Sequence, residues 1–365
     1  MDNQRSNNLI AKSSVERSTE HLDSLTSCRF VAAMAVVLFH SGSTAIASSN
    51  VVPTFIKNVI SNGYIGVSFF FVLSGFILVY VYNSKVNDYD FVYSFLSARV
   101  ARIYPVYFGS TLLASIFIEK FNLATDWQQF ILVQTWIDWA SEARSWNFPA
   151  WTLSVEAFFY LTFPFLLGIL VKLRLHALGL LMVALVVYIS ATGYWGAFGG
   201  AVDAKILLLP LPLLRYPEFL YGVCIGIIFC RGYRMYSPYL FAFGLLLEVY
   251  VLSSGKSSFA PTASILIMGP LVYLIACSGA KSNISILRSR VLVLLGGASY
   301  AIYLLHVPLS SFRNVLFASN EDVGKVVYYP IVIALSVLIY RYYEEPARSF
   351  IKRASRRLVP KVKEA

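Results

Sequence analysis

The chain has 365 residues, of which 58% are hydrophobic and only 13% charged, against about 25% charged in an ordinary soluble domain. That much apolar side chain exceeds what one soluble core can hide, which excludes a water-soluble globular enzyme. Thirty Lys and Arg against 19 Asp and Glu give a net charge of +11, so the placement of the basic residues has to decide between nucleic acid and a membrane as the partner.

Residues 1–22 are polar, lack helical apolar periodicity and read as a flexible cytoplasmic tail. Beyond them, apolar runs of about 17 to 25 residues recur, the length that crosses a bilayer as a helix. Ten spans are expected, at 30–47, 63–82, 103–118, 151–171, 177–191, 206–229, 238–252, 262–278, 291–312 and 326–343. Strands alternating apolar and polar over about ten residues, the mark of a membrane barrel, are not found. The expected fold is all-α, a polytopic integral membrane protein of about ten transmembrane helices. Its transmembrane domain covers 23–345, and a basic cytoplasmic tail follows at 346–365. The last stretch, 355–365, is suited to lie against an anionic leaflet or to stay solvated.

With the amino terminus inside, 22 of the 30 Lys and Arg fall on cytoplasmic segments and seven on outer loops, with Arg215 inside a span. This is the positive-inside pattern. It predicts an inner-membrane protein with both termini cytoplasmic and membrane lipids, not nucleic acid, around it. Ala45-Ile46-Ala47 resembles a leader cleavage site, but the long preceding region carries acids as well as bases and the apolar stretch contains His40. Cys28, Cys224, Cys230 and Cys277 lack metal-ligand spacing and read as small apolar residues, so no metal is expected. The longest outer connection, 119–150, holds four Trp that suit a headgroup-level belt or a sugar platform.

No Gly-rich phosphate loop, CxxC pair or separate soluble domain is present, so any chemistry must come from polar side chains at membrane depth. Arg29 and His40 are eleven residues apart, about 20° from alignment on one helix and separated by a rise of about 16 Å. Arg29 at the cytoplasmic interface would place His40 near the midplane, where imidazole can take a proton from a hydroxyl. Arg99 and Arg102, at i and i+3, add guanidinium forks that suit phosphates or serve as positive-inside anchors.

Glu156, about one turn into the fourth span, needs a partner. It is a candidate to orient His40, or to make a structural hydrogen bond between helices. Pro210, Pro212 and Pro217 surround Arg215 and Glu218, which either neutralise each other or line a substrate path. Glu248 is an isolated acid without an assigned role. Tyr300, Tyr303 and His306 fall along one side of the ninth span, where they could bind a sugar, donate to a carbonyl or simply pack. Ser74-Gly75 reads as a close-packing site.

These residues resemble a known family. Arg29-Phe30-Val31-Ala32-Ala33 leading to Leu38-Phe39-His40, then Gly66-Val67-Ser68-Phe69-Phe70-Phe71-Val72-Leu73-Ser74-Gly75-Phe76, is similar to the opening of acyltransferase-3 proteins. Arg99 to Arg102 before Ile103-Tyr104-Pro105, Trp151 to Glu156, Tyr216-Pro217-Glu218-Phe219, Ser299-Tyr300 with Tyr303 and His306-Val307-Pro308, and Glu345-Pro346 match the family's later motifs in order, across 22–348. The family's opening has Leu-Arg where this chain reads Cys28-Arg29, so the Arg is kept and the Leu replaced.

The resemblance implies transfer of an acyl group, often acetyl, from acyl-CoA to a hydroxyl of a glycan, lipid-linked saccharide or lipid, as in exopolysaccharide-type members. It implies no permanently bound cofactor, with acetyl-CoA or another acyl-CoA as donor substrate. The family's essential His falls on His40 and its Arg residues on Arg29, Arg99 and Arg102. A secondary transporter of a small polar or anionic solute is the alternative, although no pair of interrupted helices occupies matching places in two halves.

Overall fold

A computed structural model describes residues 23–43, 46, 49–86, 88, 90–117, 123–137, 146–191, 209–255, 260–278, 285–317 and 319–358. The expected amino-terminal tail, Ala45 and Ala47, and 359–365 lie outside the described residues. All regular structure among the described residues is helical.

In chain order the main helices are α1 (Asp23–Ser43), α2 (Thr54–Ser61), α3 (Gly66–Tyr82) and α4 (Phe91–Ser115). Short helices α5 (Leu123–Phe130) and α6 (Gln134–Ile137) then precede α7 (Trp151–Leu170) and α8 (Leu175–Ala191). The chain continues through α9 (Leu211–Cys230), α10 (Pro238–Ser253), α11 (Ala260–Ser278), α12 (Arg290–Gly297) and α13 (Ser299–Leu316). It closes with α14 (Glu321–Ile339), a π-helical turn (Tyr340–Glu344) and α15 (Glu345–Leu358).

Among the described residues, six helical stretches are long and apolar enough to cross a membrane: Asp23–Ser43, Thr54–Lys85, Phe148–Leu170, Leu211–Cys230, Ala260–Ser278 and Val326–Ser355. Helices α12 and α13 make a seventh if taken as one span, and the axis bends by 58° between them. The expected straight helix over 291–312 is therefore corrected to two. The break falls just after Gly296-Gly297, where a Cβ on Gly296 would collide with the backbone of Thr26, so α12 lies directly on α1 before the chain turns. Apolar helices α8 and α10 are shorter, and α4 carries Arg99 and Arg102 along its 25 residues.

The centre of the bundle is the α3–α9 pair. A Cβ at Gly222 would meet the Val72 backbone, and one at Gly75 would meet Phe219 O. Small residues at these places let the two backbones touch, the packing that holds helices together without a hydrophobic driving force. Stacked rings of Phe159 and Phe219 (centroids 4.7 Å apart), with Phe71 edge-on to Phe159 at 5.1 Å, join α7 to this pair.

Of the three prolines expected to interrupt the sixth span, only Pro217 does. Pro210 is the N-cap and Pro212 lies in the first turn, where a missing N–H costs nothing. Within the basic stretch expected as a tail from 346, residues 345–358 form α15, which continues α14 through the π turn and packs on α4. Tyr343 Oη anchors that turn by donating to Pro105 O at 3.0 Å, a carbonyl in α4.

Candidate active site

A cavity of about 280 Å³ opens between α1, α3, α4, α7, α13 and α15. Its polar wall gathers Arg29, Arg99, Arg102, Glu156, Tyr300 and Tyr303, six residues singled out in the sequence, and adds Tyr160, Arg348 and Lys352, which were not. Arg29 arrives from α1, Arg99 and Arg102 from one side of α4, and Arg348 and Lys352 from successive turns of α15. The cations outnumber the acids: Glu156 stands in the field of Arg102, Arg29 and Arg99, and buried Glu344 in that of Arg102, Arg29 and Arg348.

Glu156 accepts a hydrogen bond from Tyr160 Oη at 2.9 Å, one turn further along α7. Its expected pairing with His40 is not the one the fold makes. His40 Nδ1 lies 3.1 Å from Nε2 of His306, on α13. The reason is reach: His40 stands three residues before the end of α1, whereas Glu156 faces the arginines around Arg29, about 16 Å back along the same helix.

Hydrogen-bond partners assign the tautomers of the histidine pair. His306 Nδ1 sits 2.6 Å from Tyr303 O, which can only accept, so His306 carries its proton on Nδ1. Its Nε2 is then a lone pair, to which His40 Nδ1–H can donate, and His40 also makes a hydrogen bond to the Val36 backbone. In that tautomer the lone pair of His40 is on Nε2. His306 is 1% exposed and further held by Tyr328 Oη, which donates to its carbonyl at 2.6 Å, while His40 is exposed. Phe148 meets His40 edge-on at 5.6 Å.

Tyr303 connects the two regions. Its ring lines the cavity, its hydroxyl donates to Pro149 O at 3.2 Å, and its carbonyl fixes His306. Tyr300 also lines the cavity and donates to Ile103 O at 2.9 Å, tying α13 to α4 beside the arginines.

Arg215 and Glu218 are brought together, but not to the cavity. Arg215 Nε lies 2.8 Å from Glu218 Oε1, and Nη2 donates to Oε2 at 2.8 Å and to Ser68 Oγ at 3.0 Å. Both side chains are 1% exposed, and Phe71 and Trp151 cover the guanidinium. Of the two expected roles, mutual neutralisation is the one this geometry matches: the ion pair lies within α9, and the Arg215–Ser68 hydrogen bond ties it to α3.

The outer connection contributes support. Asn147 donates to Leu304 O at 2.8 Å and Ser110 Oγ at 3.1 Å, so the segment entering α7 is tied to α13 and α4. Of its four Trp, Trp139 lies outside the described residues. Trp136 packs on Phe158 and Trp146 on Phe130. Tyr160 and Arg348 are inconspicuous in the sequence for different reasons. Tyr160 is one more aromatic in an apolar span, although its i+4 spacing from Glu156 is a usable signal. Arg348 and Lys352 look like inside charges only.

The family model described as "Acyltransferase domain" matches residues 22–341. The chain is 30% identical over 325 residues to "Acyltransferase MdmB" of Streptomyces mycarofaciens, covering 82% of this chain and 81% of that one. It is 29% identical over 259 residues to "Exopolysaccharide production protein ExoZ" of Rhizobium meliloti (strain 1021), covering 67% and 75%. It is 24% identical over 293 residues to "Regulator of hypoxia-inducible factor 1" of Caenorhabditis elegans, covering 72% of this chain and 57% of the relative. No solved structure matches.

Proposed function

The chain belongs to the acyltransferase-3 family and is an acyltransferase, and on that premise we propose that it moves an acyl group, acetyl in the first instance, from acyl-CoA to a hydroxyl of a glycan or lipid-linked saccharide. Exopolysaccharide production, for which one relative is named, supports a saccharide acceptor. Family membership also weighs against the transporter alternative. The positive-inside bias and the helices under all ten expected spans support an inner-membrane, ten-span topology with both termini cytoplasmic.

In this reading Arg29, Arg99 and Arg102 hold the phosphates of the donor at the cytoplasmic mouth of the cavity. The pantetheine arm runs inward past Tyr300 and Tyr303 toward His40, the rise of about 16 Å from Arg29 to His40 setting the length it must cover. His40 Nε2 takes the proton of the acceptor hydroxyl as its oxygen attacks the thioester carbonyl. The tetrahedral adduct collapses to the new ester, the C–S bond breaks, and the imidazolium proton is available to the departing thiolate. His306 acts through His40: by accepting from Nδ1 it keeps the reactive lone pair on Nε2, as the acid does in a Ser-His-Asp triad. Glu156 and Tyr160 balance the arginines on the far wall.

The observation that carries the proposal is the chain Tyr303 O, His306, His40, which leaves one imidazole nitrogen basic. Its test is transfer of label from radiolabelled acetyl-CoA to glycan and lipid fractions of membranes containing wild-type protein or His40→Ala. Label that depends on His40 supports the reading. Equal label from both, with both proteins inserted and folded, removes His40 from the chemistry.

A further inference from the structure

The cations of α15 have no role in the mechanism above. Arg348 and Lys352 are four residues apart, on one face of the helix, and border two spaces at once. On the inner side they complete the wall of the cavity that holds Arg29, Arg99 and Arg102. On the outer side, together with Arg341, Glu345, Pro346 and Ser349, they line an open groove along α15.

Charge and hydrogen bonding at this junction are unbalanced. Arg102 and Arg99 both act on Arg348 as like charges, and Glu344 is the acid set against them. The Nε of Arg348 and the Nε of Arg99 are buried and meet no acceptor among the described residues. Converging guanidinium groups with unused N–H donors suit a ligand that carries several phosphates. With a pyrophosphate held by the inner arginines, the next anionic group outward would arrive where the cavity gives way to the groove.

Coenzyme A carries such a group: a third phosphate, on the 3′ position of its ribose, beyond the pyrophosphate and away from the thioester. Resting on the acyl-CoA reading above, we propose that Arg348 and Lys352 form the subsite for the 3′-phosphate of the donor, and that the adenosine end lies in the groove on α15. The last helix then sets the preference for coenzyme A over other acylated pantetheine thioesters. It takes no part in proton transfer.

The test uses the full-length protein in membranes and two donors, acetyl-CoA and acetyl-3′-dephospho-CoA. Wild-type protein should show a KM roughly tenfold higher for the dephospho donor at similar kcat, the effect of one charge-assisted contact. Arg348→Gln/Lys352→Gln should raise the KM for acetyl-CoA by a similar factor and leave the KM for the dephospho donor unchanged. That unchanged value also shows that the variant is folded. Equal KM for the two donors in wild type, or a variant that weakens both donors alike, overturns the subsite while leaving acyl-CoA as donor. No transfer from acetyl-CoA by wild-type protein overturns the donor reading, and the subsite with it.

Discussion

His306 Nε2 and His40 Nδ1 lie 3.1 Å apart, joining the middle of α13 to the far end of α1 across 266 positions of sequence. Neither ring lines the cavity of the arginines, yet the main chain of Tyr303, whose ring does, fixes the tautomer of the pair. The proposed base and the proposed donor pocket thus both rest on α13. Variants on either side should separate into effects on kcat and effects on KM.

His40→Ala should lower kcat by roughly 10²- to 10⁴-fold with little change in the KM for acyl-CoA. Steady-state turnover in membranes with matched protein levels checks this.

His306→Ala should lower kcat by roughly 10²-fold or more and spare the donor KM, because His40 loses the acceptor that holds its proton on Nδ1. His306→Gln, whose amide oxygen can accept from His40 Nδ1, should recover part of that loss. Equal loss in both variants would mean that His306 only fills space.

Arg102→Ala should raise the KM for acyl-CoA by roughly tenfold and leave kcat within a factor of a few, since Arg102 lines the cavity and neither histidine does. An unchanged KM would remove it from the donor site.

Arg215→Ala leaves Glu218 as a buried, uncompensated carboxyl and should destabilise the protein by about 3–5 kcal/mol. Replacing both residues with apolar side chains should restore much of the thermal stability in detergent. The comparison, read by fluorescence-detected melting, tests whether the pair is structural.

Gly222→Ala places a methyl group against the Val72 backbone and should cost about 1–3 kcal/mol as overpacking. A variant as stable as wild type in the same melting assay would show that α3 and α9 can separate without penalty.

Hydropathy runs locate a helix under each of the ten expected spans, because length and apolarity are local properties, but they miss α2 and the polar α15. The bend at Gly296-Gly297 is not legible in them, since the contacts around it, Gly296 on the Thr26 backbone and Gly297 on the Tyr340 ring, join residues distant in sequence. Polar residues at depth stand out by their cost in hydrocarbon, and six of them do meet at one cavity. Their pairing is a different matter. Glu156 and His40 suggest each other because both are titratable and unassigned, whereas which side chains meet depends on how far along each helix they stand. Arg348 is hidden by its setting: among eight basic residues after 340 it looks like an inside anchor, and only the docking of α15 on α4 sets it apart.

The π turn at Tyr340–Glu344 fixes the rotation of α15 about its own axis. A π turn is equivalent to one residue inserted into an α-helix, and each residue advances the helix by about 100°. Everything beyond Glu344 is therefore phase-shifted relative to α14. Without that extra residue, α15 would keep its length and direction but would rotate Arg348 and Lys352 about a quarter of a circle away from the cavity. A single inserted position, small enough to pass for a slip in a sequence alignment, is what aims Arg348 and Lys352 at the cavity.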